Sequence, residues 1–161
     1  MATDIFLKLG DIKGESQDDK HKDEIDVLSW AWGVSQAGTM HTGGGGGHGK
    51  ANFSDLTITH YVDKAHPVLL KSCATAEHIK EAMLTVRKAG KTPQEFLLIK
   101  MNDIIVTSVI PGGDGGDTGH TEQVTLQFSK VDVEYKPQKP DGSLDAGVHF
   151  KYDIKANKEG G

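Results

Sequence analysis

The chain has little cysteine, few aromatic residues and no long apolar run. Cys73 is the one cysteine among 161 residues, and aromatic residues make up 6% of the total. One cysteine excludes an intrachain disulfide and a cysteine-rich zinc site, which fits a reducing compartment. Because no apolar run approaches the ~18 residues of a membrane helix, membrane insertion by a helix is not expected.

The start of the chain does not fit a secretory signal peptide. The segment MATDIFLKLGDIKGE has a short apolar run that Asp4 and Lys8 interrupt. Export would therefore not use the ordinary secretory route. A basic block is also missing, and 18 Lys and Arg against 23 Asp and Glu give a net charge of −5. This charge disfavours a nucleic-acid partner.

What the chain does have is glycine, concentrated in two segments. Six of the 20 glycines lie in 43–49 and five in 112–119. We expect one domain, 1–161, with flexible loops at 38–50 and 111–120. The first loop, MHTGGGGGHGKA, matches G-x-G-x-x-G and most of a phosphate-binding motif. A phosphate loop needs a buried strand before it and a helix after it, and neither flank fits, so a mobile loop is favoured.

Metal and catalytic motifs are equally weak. His41 and His48 flank the glycines, but a metal site needs three or four ligands that other side chains hold in place. His60 lies on an apolar strand face and is expected to be a hydrogen-bonded core residue, and Cys73 is expected to pack against the core. A Ser–His–Asp triad has no nucleophile motif to support it. The sequence therefore predicts a protein without catalysis and without a cofactor.

Period-two alternation dominates the rest of the chain and predicts strands. The predicted strands lie near 5–9, 25–34, 56–62, 82–90, 96–110, 124–135 and 148–154. One short helix is predicted near 66–76, behind Pro67. The apolar phase changes between Phe128 and Val131, which predicts a bulge or sharp bend at Ser129–Lys130. The fold class is mainly β, an antiparallel barrel or sandwich.

The segment EIDVLSWAWGVS has two different faces. Its bulky face is predicted to be core and consists of Leu28, Trp30, Trp32 and Val34. The other face tapers to small residues at Ser29, Ala31 and Gly33, where another backbone, a ligand or open space could lie. The patterns alone favour a binding or assembly module. An alternative is a β-barrel that binds a small apolar ligand as a monomer or dimer.

Nearly the whole chain resembles the haemolysin-coregulated protein (Hcp) family of type VI secretion systems. The resemblance is carried by DIFLKLGDIKGESQDDKHKDEIDVLSWAWGVSQ, GGGGGHGK, DLTITHYVDKAHPVLL, LTVRKAG and TEQVTLQFSKVDVEYKPQKPDG. It implies a two-sheet antiparallel β-barrel with one short α-helix, six copies of which form a ring. It also implies that rings stack into the inner tube, which is made in the bacterial cytoplasm and exported. The implied role is structural, with no enzymatic activity.

The resemblance implies partners and sites as well. The partners are a spike protein of valine–glycine repeats, a contractile sheath and small effectors that are sheltered in the lumen. The small-residue face, Ser29, Ala31 and Gly33, becomes the candidate lumen wall. The first glycine loop becomes the candidate contact between stacked rings, through His41, Gly43, Gly44, Gly45, Gly46, Gly47, His48 and Lys50.

Overall fold

The computed structural model describes residues 2–38, 50–116 and 119–160. These residues form eleven strands and one helix. In chain order they are β1 Thr3–Leu9, β2 Ile25–Asp26, β3 Ser29–Ala31, β4 Val34–Ser35, β5 Asn52–Phe53, β6 Leu56–Tyr61, α1 His66–Ala74, β7 His78–Lys88, β8 Gln94–Gly112, β9 Thr121–Tyr135, β10 Val148–Asp153 and β11 Lys158–Glu159. The predicted class, mainly β with one short helix, is confirmed.

All of the strand pairs are antiparallel. The main sheet has nine strands in the order β11-β10-β9-β8-β7-β1-β2, with β6 also paired to β9, and β3 paired to β6. β4 and β5 form a separate two-stranded ribbon. The first half of β9 pairs with β6 and its second half pairs with β10, so this strand joins two parts of the sheet.

The main sheet is not a closed barrel among the described residues, which corrects the prediction. Segment 25–31 instead connects the β1 side of the sheet to the β6 side. β2 pairs with β1, β3 pairs with β6, and the backbone N–H groups of Val27 and Leu28 donate to Ile5 (2.9 Å) and Thr59 (2.7 Å). The segment pairs with β1 at only two positions and then with β6 at three, so no single strand pairs with both β1 and β6 along its length to close the sheet.

This change of partner also corrects the predicted faces of segment 25–34. Ile25 and Val27 are buried, whereas Leu28 and Val34 are 47% and 53% exposed. Trp30 and Trp32 pack against the core as predicted. Because the chain crosses from β1 to β6 at 27–28, the buried side switches from odd to even residues. One uninterrupted alternation therefore could not describe the segment.

The helix α1 lies where it was predicted. Pro67 occupies the first turn, where a missing N–H removes no helical hydrogen bond, and Lys71 lies in the last turn. Leu69 is fully buried, and Cys73 packs against the core as expected. Burial of a leucine side chain contributes roughly 1.5–3 kcal/mol, which fixes this short helix against the sheet.

The long strands β7, β8 and β9 share a bend. Lys80, Asp103 and Ser129 lie side by side on the three strands and are left out of the strand pairing. At this point on each strand, the buried side chains change between odd-numbered and even-numbered residues. Asp103 has φ +55°, a left-handed conformation that bends the strand. The predicted bend at Ser129 is confirmed. No residue is inserted there, since the β8–β9 register shifts at Val106/Ser108 instead.

A buried arginine fixes the loop that connects β1 to β2. The guanidinium of Arg87 donates to both carboxylate oxygens of Asp18 (2.9 and 2.5 Å) and to Asp4 (3.1 Å), and it lies 4.8 Å from the ring centroid of Phe6. The hydrogen bond from Arg87 lowers the pKa of Asp18 to about 2, and the Asp18 hydrogen bond raises the pKa of Arg87. Arg87 is the only arginine in the chain.

Candidate functional site

The outward face of β3, β6 and β9 carries uncharged side chains, most of them short. In β6, Leu56, Ile58 and His60 are buried, so Thr57 and Thr59 point away from the core. The pairing register aligns two rows across the three strands. The rows are Ser29–Thr59–Gln123 and Ala31–Thr57–Thr125. We call these six residues the uncharged face.

Hydroxyl groups extend this face onto β8. Thr107 donates to Asp55 (2.7 Å), and its Oγ1 lies 2.7 Å from Oγ1 of Thr125. Ser108 Oγ is also 2.7 Å from Thr125 Oγ1. The β8 register shift at Val106/Ser108 brings both hydroxyls to the same threonine. The carboxylate of Asp55, which borders the uncharged face, is thus held by a hydrogen bond.

The three predicted lumen residues do not lie in one element. Ser29 and Ala31 are exposed on β3 and belong to the uncharged face. Gly33 follows the end of β3, where its backbone N–H donates to Ser54 Oγ (2.9 Å) and its carbonyl accepts from Ser54 N–H (2.9 Å). A Cβ at Gly33 would meet no atom within 4 Å, so the space beside it is open. Sequence reasoning missed the threonines of β6 and β9, although they alternate with buried residues.

Both edges of this part of the sheet are open among the described strands. β3 pairs only with β6, and β8 beyond Ile105 pairs only with β9. Apolar side chains are exposed at both edges: Ile110 on β8 is 59% exposed, and Leu28 and Val34 flank β3. Unpaired backbone next to exposed apolar surface is typical of a contact with another chain.

The predicted ring–ring contact loop connects strands β4 and β5. Val34 pairs with Phe53 and Ser35 with Asn52, so the chain returns close to where it left. Lys50 is exposed and is followed by strand β5, not by a helix. The other predicted loop residues, His41, Gly43–Gly47 and His48, lie outside the described residues.

Behind the uncharged face lies a buried cluster of acids and histidines. His60 and Glu122 are fully buried, and His60 Nε2 is 3.2 Å from Glu122 Oε1. His66, the first residue of α1, contacts the other oxygen of Glu122 through Nδ1. His60 is thus a hydrogen-bonded core residue, as predicted. The sequence analysis did not identify Glu122 as a buried residue, although it lies on the same face of β9 as the buried Val124 and Leu126.

A second cluster assembles serine, aspartate and histidine at the shared bend. Ser129 donates to Asp103 (2.7 Å), and His78 Nδ1 is 3.0 Å from the other Asp103 oxygen. The hydrogen bonds from Ser129 and from His78 lower the pKa of Asp103. The carboxylate lies between the hydroxyl and the imidazole, whereas a triad needs the imidazole beside the hydroxyl. This arrangement does not activate Ser129 as a nucleophile.

Other classes of site are poorly matched by the described part of the chain. A groove of about 1080 Å³ lies beside α1 and β7 and is lined by five lysines, which does not suit a small apolar ligand. Within residues 2–38, 50–116 and 119–160, no three acids, histidines or cysteines are placed to hold a metal ion. In the same ranges, no helix is long and apolar enough to span a membrane.

Comparison with known proteins places this chain in a family. The model of the family described as "Type VI secretion system effector, Hcp" matches residues 6–135. Protein hcp1 of Pseudomonas aeruginosa is 51% identical over 159 residues, which are 98% of each chain.

Solved structures of proteins from type VI secretion systems resemble this chain as well. Hcp1 of Salmonella typhimurium is 42% identical, covers 99% of both chains and has a TM-score of 0.78. A structure named as a type six secretion system protein is 30% identical, covers 99% of this chain and all of its own, and has a TM-score of 0.92. The chain therefore belongs to the Hcp family of type VI secretion system proteins.

Proposed function

We propose that this protein is the subunit of the inner tube of a type VI secretion system. Six copies close into a ring, and rings stack into a tube whose lumen holds small effectors. The tube leaves the cell in which it was made, driven by a contractile sheath and capped by a spike protein of valine–glycine repeats. The subunit acts as a structural carrier and not as an enzyme.

The observation that carries the proposal is the strip β3-β6-β9-β8 with two open edges. A strip of this kind continues naturally when β3 of one copy meets the 106–110 edge of the next, because backbone N–H and C=O groups on both sides have no ladder partner among the described strands. The same contact would cover the exposed apolar side chains beside each edge, Ile110, Leu28 and Val34. Repetition of one heterologous contact closes a ring when its rotation divides a full circle.

The uncharged face suits the lumen wall. Its six side chains are uncharged, and all but Gln123 are short; they carry hydroxyl, amide or methyl groups, so most of them can both donate and accept hydrogen bonds. A wall without fixed charge repels neither acidic nor basic cargo. Ser29 and Ala31 lie on this wall in the proposal, and Gly33 lies at its border, where the space is open.

The glycine loop suits a contact between stacked rings. It begins and ends at the β4–β5 ribbon, beside the β3 edge, and Lys50 at its end is exposed. Ordering of a glycine at such a contact costs roughly 1–2 kcal/mol of backbone entropy. Stacking through this loop is therefore weak and reversible until the sheath assembles.

Cysteine cross-linking tests the proposed edge contact. Ser29 and Ile110 end the same row of the sheet, through Thr59 and Gln123. In a Cys73→Ser background, Ser29→Cys together with Ile110→Cys is expected to give a ladder of disulfide-linked species ending at six subunits. Oxidation followed by non-reducing electrophoresis measures the ladder.

The matched control pairs Ser29→Cys with Val148→Cys, because Val148 is exposed on β10 and lies outside the strip. The control is expected to give no ladder. Species no larger than a dimer in the test variant, or equal ladders in both variants, would contradict the proposed ring contact.

A further inference from the structure

A groove lined by lysines runs across the start of β7, from α1 to the turn after β10. It has two adjoining lobes of about 1080 and 800 Å³, which share residues 78–80. We call it the lysine groove. The β8 residues that line it lie within 100–103, whereas the uncharged face lies beyond the bend at Asp103, so the groove is not part of the proposed lumen wall.

The lysine groove concentrates positive charge on a chain that is acidic as a whole. The chain has a net charge of −5, yet seven lysines and only five carboxylates line the two lobes. The lysines are Lys8, Lys13, Lys64, Lys80, Lys100, Lys130 and Lys155, and the carboxylates are Asp11, Glu77, Glu81, Asp103 and Asp153. The groove is therefore a basic region on an acidic subunit.

Two of the five carboxylates are already engaged within the chain. Asp103 accepts a hydrogen bond from Ser129 (2.7 Å). Asp153 accepts one from the backbone N–H of Ala156 (2.9 Å) and lies 4.0 Å from Lys130. These contacts occupy negative charge in the smaller lobe and leave Lys80 and Lys155 without a carboxylate of their own among the described residues.

The lysines of the larger lobe have no internal partner either. In the part of the chain that the structure describes, none of its five lysines forms an ion pair, and all five side chains are exposed. Lys8 on β1 and Lys100 on β8 flank Met83 of β7 in one row of the sheet, so their amino groups lie on the same face. Unpaired ammonium groups around a concave surface reinforce one another, because the low-dielectric walls focus their field.

The larger lobe also has an apolar part. Ile12, Val68 and Met83 line it, and Val68 on α1 is 44% exposed. A lining that mixes lysines with apolar side chains matches a polypeptide that carries both carboxylates and apolar groups. Nucleic acid matches it less well, since every phosphate would meet the carboxylates of the groove without an apolar group to cover Val68.

We propose that the lysine groove is a docking site for an acidic, extended segment of another protein. Carboxylates of that segment pair with Lys8, Lys80 and Lys100, and its apolar side chains cover Val68. The two adjoining lobes together exceed the size of a small-molecule pocket, which favours an extended chain over a compact ligand. The site is complete within one subunit and does not depend on ring formation.

Fluorescence anisotropy with a short labelled peptide, in which glutamate and valine alternate, tests the proposal. The peptide should bind the wild-type protein, and its affinity should fall as salt is added because salt screens exposed charges. Lys80→Glu together with Lys100→Glu should lower the affinity about tenfold or more, since each reversal replaces an attraction with a repulsion.

The matched control is Lys91→Glu together with Lys139→Glu. Both lysines are exposed and lie outside the groove, and the net charge changes by the same amount. This variant should bind the peptide nearly as well as the wild type. Light scattering should give the wild-type mass for both variants, which separates a loss of docking from a loss of assembly.

A second measurement needs no substitution. A carbodiimide couples a glutamate of the peptide to a lysine amine with loss of water, and mass spectrometry identifies the lysine. Coupling at Lys8, Lys80 or Lys100 supports the docking site. The proposal would be overturned by equal coupling at Lys91, by unchanged affinity in the groove variant, by a lysine–valine peptide or an oligonucleotide that binds as tightly, or by no binding of the acidic peptide.

Discussion

Asp18→Asn isolates the charge that ties the β1–β2 loop to Arg87. The substitution keeps the size of the side chain and removes one full negative charge from the pair. Arg87 remains bonded to Asp4, so the guanidinium is not left without a partner. We therefore expect a folded variant whose loop is held less firmly.

The magnitude follows from the pKa of Asp18, which is lowered from 3.8 to about 2. A shift of this size corresponds to a ceiling of about 2 kcal/mol of stability at neutral pH. The side chain of Asp18 is 23% exposed, so solvent screening reduces the contribution, and a loss of about 1–2 kcal/mol is expected. Because the folded pKa is lowered, the contribution is fully present above pH 3.8 and disappears as the pH falls towards 2.

Urea unfolding at a series of pH values measures this contribution. Wild type and Asp18→Asn should differ most at pH 5–7 and converge near pH 2, at one fixed protein concentration because assembly stabilises the fold. The exposed neighbour Asp19 supplies the control, and Asp19→Asn should change stability little at any pH. Equal destabilisation by Asp18→Asn at pH 7 and pH 2 would refute the charge argument.

Three further predictions concern the sheet face and the glycines. Ala31→Gln should leave the melting temperature nearly unchanged because Ala31 is exposed, and it should lower the cellular level of effectors that depend on this protein. Ile58→Ala, on the buried side of β6, should instead lower the free energy of unfolding in urea by about 2–5 kcal/mol. Gly14→Ala should destabilise, since its Cβ would lie 2.5 Å from the carbonyl of Glu24, whereas Gly33→Ala should not; equal stability of the two variants would contradict this packing. Shortening of Gly43–Gly47 should spare the ring mass and impair tube growth by electron microscopy, and normal tubes would reduce the loop to a spacer.

Local signals in the sequence were sufficient for several elements. Pro67 and the loss of alternation located α1, and the shift from even to odd apolar residues in 124–135 located the bend at Ser129. His60 was correctly interpreted because it shares the apolar face of its strand with Leu56 and Ile58 and alternates with the polar residues of the other face. In each case the determining residues lie within one element, so periodicity alone carries the information.

Features that depend on distant residues were not predictable in this way. Segment 25–34 was misread because its buried side depends on the change of partner from β1 to β6, which no local pattern encodes. The bond between Arg87 and Asp18 joins residues 69 positions apart. Glu122 gave a weak signal, a charged residue at a buried position of a strand, and such a residue requires a partner that only the fold reveals.

The mass of the purified protein in solution tests the central claim most directly. Light scattering after size exclusion at micromolar concentration should give six times the subunit mass of 17.3 kDa, as expected for a closed ring. The native value should persist when the loading concentration is lowered several-fold, because a closed ring has no free edge at which to lose or add subunits. A clean monomer or dimer would contradict the proposal that the open edges of the β3-β6-β9-β8 strip meet in a ring.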